Sequence, residues 1–204
     1  MSLGALDDLL RLAEGKNAVA IGPGLGTHPA TQDLVRELVA RLRLPIVLDA
    51  DGINAMAGSA PGLRRADGRL VLTPHPGEYA RLLGVPRDEI LRDRIPLVRK
   101  TAMDYGLTLV LKMARTLVGE AGGGIAVVPT GNPGMATGGT GDVLAGMIAS
   151  QMAQKGDLPG AVLSAVYAHG LAGDIAAHRL GERSLVAGDI IRFLPPALKA
   201  LTGE

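Results

Sequence analysis

The chain has 204 residues, 47% of them hydrophobic, with 21 Lys and Arg against 20 Asp and Glu; that is enough apolar material for one sizeable core, and a single domain over residues 1–204 is expected. A net charge of +1 excludes a broad basic face, so neither nucleic acid nor an anionic membrane is an expected partner, and small molecules are. With no cysteine there is no disulfide framework or thiolate metal site, and the expected location is the reducing cytoplasm.

The opening residues place Asp7 and Asp8 among leucines, without the basic start and unbroken apolar stretch of a secretory leader. No apolar run approaches the roughly 18 residues that a membrane span needs. The only aromatic residues are Tyr79, Tyr105, Tyr167 and Phe193, so aliphatic side chains must fill the core, and an aromatic platform for stacked bases is not expected. Short runs rich in Val, Ile and Leu at 18–21, 46–48, 70–72 and 108–111 read as buried strands. Between them the pattern predicts a helix over 29–42, a short turn near 53–57, and helices over 77–83 and 92–105. That βαβαβαβ order implies a mostly parallel sheet. Runs at 116–118 and 125–128, joined by GEAGGG, predict an antiparallel hairpin. Helices are expected over 140–154, 159–179 and 187–200, with Pro195 and Pro196 breaking or kinking the last.

Each of the first three strands runs into a polar, glycine-bearing loop: GPGLG at 22–26, DADGIN at 49–54 and TPHPGE at 73–78. In an open parallel sheet such loops emerge at the carboxyl edge, where ligands bind at a topological switch point. Each loop alone has a plain structural explanation: a turn, a helix start, or a His75 fixed between two prolines. Their recurrence after three strands points to one shared crevice. Lys112 ends the fourth strand beside the same edge, where it could meet a phosphate or simply be solvated. His28, His169 and His178 have no metal-site spacing, and His169 and His178 read as helix residues on or near the surface.

The richest segment is GNPGMATGGTGDVLAG at 131–146, with five glycines in the eleven positions 131–141. Glycine lets main-chain N–H groups crowd an anion, and the helix starting near Gly139 directs its positive dipole end to the same place. A carboxylate beside such a cradle suggests a base aimed at a hydroxyl that meets a phosphoryl group, and Asp142 is that candidate. The alternative is that Asp142 only caps the helix. Neither the common P-loop nor the dinucleotide fingerprint fits the spacing.

Five motifs in this order, GPGLGTHP, DADGIN, LTPHPGE, LKMART and NPGMATGGTGDVLAG, closely resemble the ADP-dependent NAD(P)H-hydrate dehydratase family. The resemblance implies a ribokinase-like three-layer α/β/α sandwich, N-terminally shortened, because the family's domains carry several dozen further residues ahead of the GPGLG strand. It implies repair of NADH or NADPH hydrated at C6 of the nicotinamide ring: ADP phosphorylates the ring hydroxyl, phosphate leaves, and NAD(P)H, AMP and phosphate result. It assigns Asp142 as catalytic base, Gly24, His75 and Asp142 to the hydrated dinucleotide, and Lys112, Met113, Ala114, Arg115, Thr116 and Gly141 to the nucleotide. Gly138, Gly139, Thr140 and Gly141 would form the anion hole. Magnesium would be held mostly by phosphate and water, without a protein metal site. Met113 stands where the family usually has glycine, and would either narrow the purine side or turn into the core. An open sheet edge would favour a homo-oligomer. The competing readings are a ribokinase-like kinase of a vitamin-precursor alcohol and a non-catalytic nucleotide-binding fragment.

Overall fold

A computed structural model describes residues 1–64, 69–154 and 157–203. Its sheet has six strands in sequential order: β1 (Val19–Ile21), β2 (Ile46–Leu48), β3 (Leu70–Leu72), β4 (Thr108–Leu111), β5 (Leu117–Gly119) and β6 (Ile125–Val127). β1 to β4 are parallel, with Ile21, Leu48 and Leu72 in register and Leu72 opposite Leu109. β5 and β6 continue the sheet as the antiparallel hairpin expected from the GEAGGG turn.

Strand alternation divides the core into two layers, because successive side chains point to opposite faces. Ile46, Leu48, Leu70, Leu72, Leu109, Leu111 and Leu117 face one buried cluster, whereas Val47, Val71, Val110 and Val118 face the other. The leucine face is covered by α1 (Leu6–Ala13), α2 (Pro29–Arg41), α3 (Ala50–Met56), α4 (Pro76–Leu83), α5 (Arg87–Arg92) and α6 (Arg94–Tyr105). The valine face is covered by α7 (Thr140–Met152) and α8 (Leu158–Leu180), and α9 (Ala187–Thr202) packs on α8. This arrangement follows from crossover handedness. Parallel strands laid down in one direction by right-handed crossovers send every intervening helix to the same face, so only the chain after the hairpin remains to cover the other.

Four expectations need correction. The strand order never reverses, so the crevice is not at a topological switch point; it forms where α7 arrives from the opposite layer. The expected turn near 53–57 is the second half of α3, which starts at Ala50 and ends at Met56 with Ala57 as its C-cap, and α1 and α5 are additional helices. Of breaking or kinking at Pro195 and Pro196, breaking does not occur, since α9 continues through both. The carbonyls these prolines leave without an N–H partner belong to Ile191 and Arg192, both exposed residues, so water can satisfy them.

Candidate active site

The carboxyl edge of the sheet is held together by close backbone contact and a chain of side-chain hydrogen bonds. A methyl group on Gly22 would lie 1.7 Å from the Asp49 carbonyl oxygen, and one on Gly52 2.6 Å from the Ile21 carbonyl oxygen. Only glycine permits the GPGLG and DADGIN loops to meet this closely. Asp51 accepts from the Gly26 amide (2.8 Å) and from Asn54 (3.2 Å), while Arg81 of α4 donates to Asn54 (3.0 Å). The three loops are therefore stitched into one unit. Gly24 sits at the exposed tip of the first loop with φ +73°.

Asp49 and Lys112 each follow the last residue of a strand, and the sheet brings them together. The Lys112 ammonium donates to Asp49 Oδ1 at 2.6 Å, and the Thr73 hydroxyl donates to the same oxygen at 2.8 Å. The Asp49 side chain is 2% exposed and that of Lys112 22%. Glu78, buried at the start of α4, lies 3.9 Å from Lys112 Nζ and accepts from the His75 amide at 2.8 Å. His75 caps α4: its Nδ1 accepts from the Gly77 and Glu78 amides. Partial burial holds the His75 pKa below the usual histidine value, against the opposing pull of Glu78. An Nδ1 that accepts two amides cannot carry a proton, so the ring hydrogen of His75 is on Nε2, which lies 3.4 Å from Glu78 Oε1.

α7 supplies the other wall. Gly139 is its N-cap with φ +88°, and no side chain caps this helix. Asp142, in the first turn, is exposed, and among the described residues it has no hydrogen-bond or ion-pair partner. Asp142 therefore makes no capping hydrogen bond, and what it offers the helix is its charge in the first turn. Gly138 and Gly139 are exposed, and the Thr140 side chain is turned inward, donating to the Met135 (2.8 Å) and Thr137 (3.0 Å) carbonyls. What Thr140 can offer an anion is its amide, not its hydroxyl. A methyl group on Gly141 would lie 3.4 Å from Lys112 Nζ and 3.7 Å from Asp49 Oδ2. The first turn of α7 and the Asp49–Lys112 pair therefore face each other directly.

Of the segment following Lys112, Met113 packs against the leucine-side core, so of its two alternatives the turn into the core is the one observed. Ala114 and Arg115 are exposed. Arg115 takes φ +62° and donates to the Pro129 carbonyl at 2.7 Å, and the Thr116 hydroxyl donates to the Met113 carbonyl at 3.3 Å. His169 corrects the surface reading. It is 8% exposed within α8, its Nε2 lies 3.0 Å from the Thr140 carbonyl oxygen, and burial pushes its pKa down to about 4. His178 is exposed as expected. Asp174, also on α8, accepts from the Gly131 amide and the Asn132 side chain, both at 2.9 Å. It anchors the start of the glycine segment. Sequence reasoning singled out neither Asp49 nor Glu78 nor Asp174; the available signal for Asp49 was a carboxylate placed immediately after an all-apolar strand at the ligand edge.

The NAD(P)H-hydrate dehydratase family matches residues 4–196. The chain belongs to this family. It is 50% identical over 206 residues to the bifunctional NAD(P)H-hydrate repair enzyme of Moorella thermoacetica, covering 100% of this chain and 38% of that protein. Among solved structures, it is similar to the ADP/ATP-dependent NAD(P)H-hydrate dehydratase from Bacillus subtilis co-crystallized with ATP/Mg2+, at 34% identity and a TM-score of 0.79, over 94% of this chain and 69% of that one. A ribokinase-like superfamily protein from Enterococcus faecalis gives 31% identity and a TM-score of 0.82, over 95% of this chain and 66% of that one. The three-layer sandwich is thus the ribokinase-like fold. The chain spans little more than a third of the Moorella relative's length.

Proposed function

We propose that this chain carries out the ADP-dependent dehydration of hydrated NADH or NADPH. The observation that carries the reading is Asp142, exposed in the first turn of a helix that glycines open, opposite Lys112, and without a hydrogen-bond or ion-pair partner among the described residues. The carboxylate takes the proton of the ring hydroxyl as its oxygen attacks the β-phosphorus of ADP. The bond between the β-phosphorus and its bridging oxygen breaks, and AMP leaves. Amides of Gly138, Gly139, Thr140 and Gly141 receive the transferring phosphoryl group, and Lys112 balances its charge. The ring nitrogen then pushes out phosphate, and loss of the neighbouring C5 proton restores the conjugated dihydropyridine. Gly24, on the stitched loops, and His75, with its ring hydrogen on Nε2, contact the dinucleotide, and the segment Lys112 to Thr116 carries the AMP portion.

Among the described residues, no group of three or more His, Cys, Asp or Glu is placed to hold a metal ion. The donor set, a free Asp142 and the Asp49 Oδ2 that faces Gly141, suits a Mg2+ carried by nucleotide phosphates and water. When bound, Mg2+ neutralises phosphate charge. We place the chain in the cytoplasm as one domain; no helix of the described residues is long and apolar enough to cross a membrane.

Among the described residues, β1 has a strand neighbour on one side only. Beside it runs an apolar groove of about 350 Å3, lined by residues that include Leu9, Leu12, Val19 and Leu25. This edge favours a homo-oligomer; a sedimentation profile of a stable monomer would refute that part. The reaction is tested by incubating hydrated NADH with the protein, Mg2+ and ADP or ATP, and following the near-ultraviolet absorbance of the dihydronicotinamide. Recovery of that absorbance with free phosphate, and with AMP from ADP or ADP from ATP, is the expected result. A stable phosphoester product would instead make the protein a kinase, and ADP binding without consumption of hydrated NADH would make it a non-catalytic binder.

A further inference from the structure

His169 is a buried imidazole that the proposed reaction does not use. Its Nε2 stands 3.0 Å from the carbonyl oxygen of Thr140. A carbonyl oxygen only accepts, so Nε2 must carry the hydrogen and the neutral ring donates. The Thr140 carbonyl shares its peptide group with the N–H of Gly141, the residue on which an added methyl group would lie 3.4 Å from Lys112 Nζ and 3.7 Å from Asp49 Oδ2. A donor bound to a peptide carbonyl draws electron density from the whole group and makes its N–H a stronger donor. The same bond joins α8 to the first turn of α7. The Thr140 hydroxyl, turned inward onto Met135 and Thr137, fixes that turn from its other side.

We propose that His169 is a positioning residue of the anion hole: through the Thr140 carbonyl, it sets the place and donor strength of the Gly141 amide. This rests on the reading that the α7 amides receive the phosphoryl group of ADP. Sequence gives no sign of such a role, because 29 residues separate the partners and the contact exists only once α8 packs on α7.

Three variants test it, with ADP affinity measured by calorimetry, turnover of hydrated NADH, and the Gly141 amide proton followed by NMR. His169→Leu removes the donor at similar volume. It is expected to weaken ADP binding and lower kcat by about tenfold each, the scale of one hydrogen bond lost, with KM for hydrated NADH within about twofold. The Gly141 amide proton should move upfield. His169→Gln places an amide donor near the Nε2 position and should restore ADP affinity, kcat and the Gly141 resonance towards the parent, an outcome that a purely structural role does not require. Should the leucine variant not fold, His169→Asn, whose shorter amide cannot reach Thr140, is expected to show the leucine pattern. ADP affinity and Gly141 resonance unchanged in a folded variant lacking the donor would overturn the inference. If at the same time Asp142→Asn still abolishes turnover, the proposed reaction survives and only the role of His169 falls. A parent that binds no ADP would overturn both.

Discussion

Two carboxylates meet at the start of α7, Asp142 within its first turn and Asp49 across from it, and they are in opposite states. Asp142 is exposed and has no partner among the described residues; Asp49 is 2% exposed and receives both the Lys112 ammonium and the Thr73 hydroxyl. The difference assigns their work. A carboxylate whose acceptor oxygens are free is placed to accept from a substrate hydroxyl, whereas Asp49 has one oxygen, Oδ1, committed to a cation and a hydroxyl. Asp49 instead fixes a positive charge in front of the proposed anion hole. Its cost is desolvation, which the Lys112 ion pair and the Thr73 hydrogen bond offset.

The largest effect should come from the free member. Asp142→Asn keeps size and removes basicity, and is expected to lower turnover of hydrated NADH by about a hundredfold or more. Thermal stability and ADP affinity should stay near the parent, because no intramolecular bond is lost. Steady-state kinetics beside a melting curve checks this, and turnover within a few-fold of the parent would reduce Asp142 to a bystander and erase the contrast.

Much of this contrast was open to sequence reading, and the reason is local. The Asp142 cradle is a continuous segment, and the strands are short, β-branched or leucine-rich runs bounded by glycine and proline; all six were legible, with ends within one residue of those observed. Asp49 and Lys112 were visible as loop and strand-end residues, but their pairing depends on strand order and on the two-residue extension of β4 beyond the register partner of Leu72. His169 misled because an isolated helical histidine carries no mark of its face when α8 is apolar nearly all round. α9 misled in the opposite way: the rule that proline breaks a helix assumes that the freed carbonyls matter, and on an exposed face water takes them.

The second effect concerns what holds the turn on which Asp142 stands. The native pKa of His169 is about 4 against about 6.5 for an unperturbed histidine, so the unfolded chain binds the proton more readily. Stability from this group is fully present above about pH 6.5 and is lost as pH falls towards 4, by roughly 3 kcal/mol in all. Lys112, whose charge also disfavours the imidazolium, acts in the same direction. Denaturant unfolding measured from pH 7 to 4 should therefore show a flatter profile for His169→Gln than for the parent. Parallel slopes in the two proteins would mean that His169 is not held neutral by burial.

The smallest effect tests the paired member. Asp49→Asn leaves Lys112 without its counter-charge, but Lys112 is 22% exposed and water can take part of the load. The expected loss is about 2 kcal/mol, below the roughly 3–5 kcal/mol seen when a fully buried pair is broken. Lys112→Met leaves the more deeply buried carboxylate stranded and should cost more, while also weakening ADP binding, because the charge in front of the anion hole is gone. Combining the two should recover much of the stability, since neither charge then remains uncompensated, but not the ADP affinity. That separation is what the geometry demands of Asp49: it affects folding through Lys112 and nucleotide binding only through the place where it holds that ammonium. If the double variant were as unstable as the sum of the singles, the two residues would be acting independently and the 2.6 Å bond would carry no coupling.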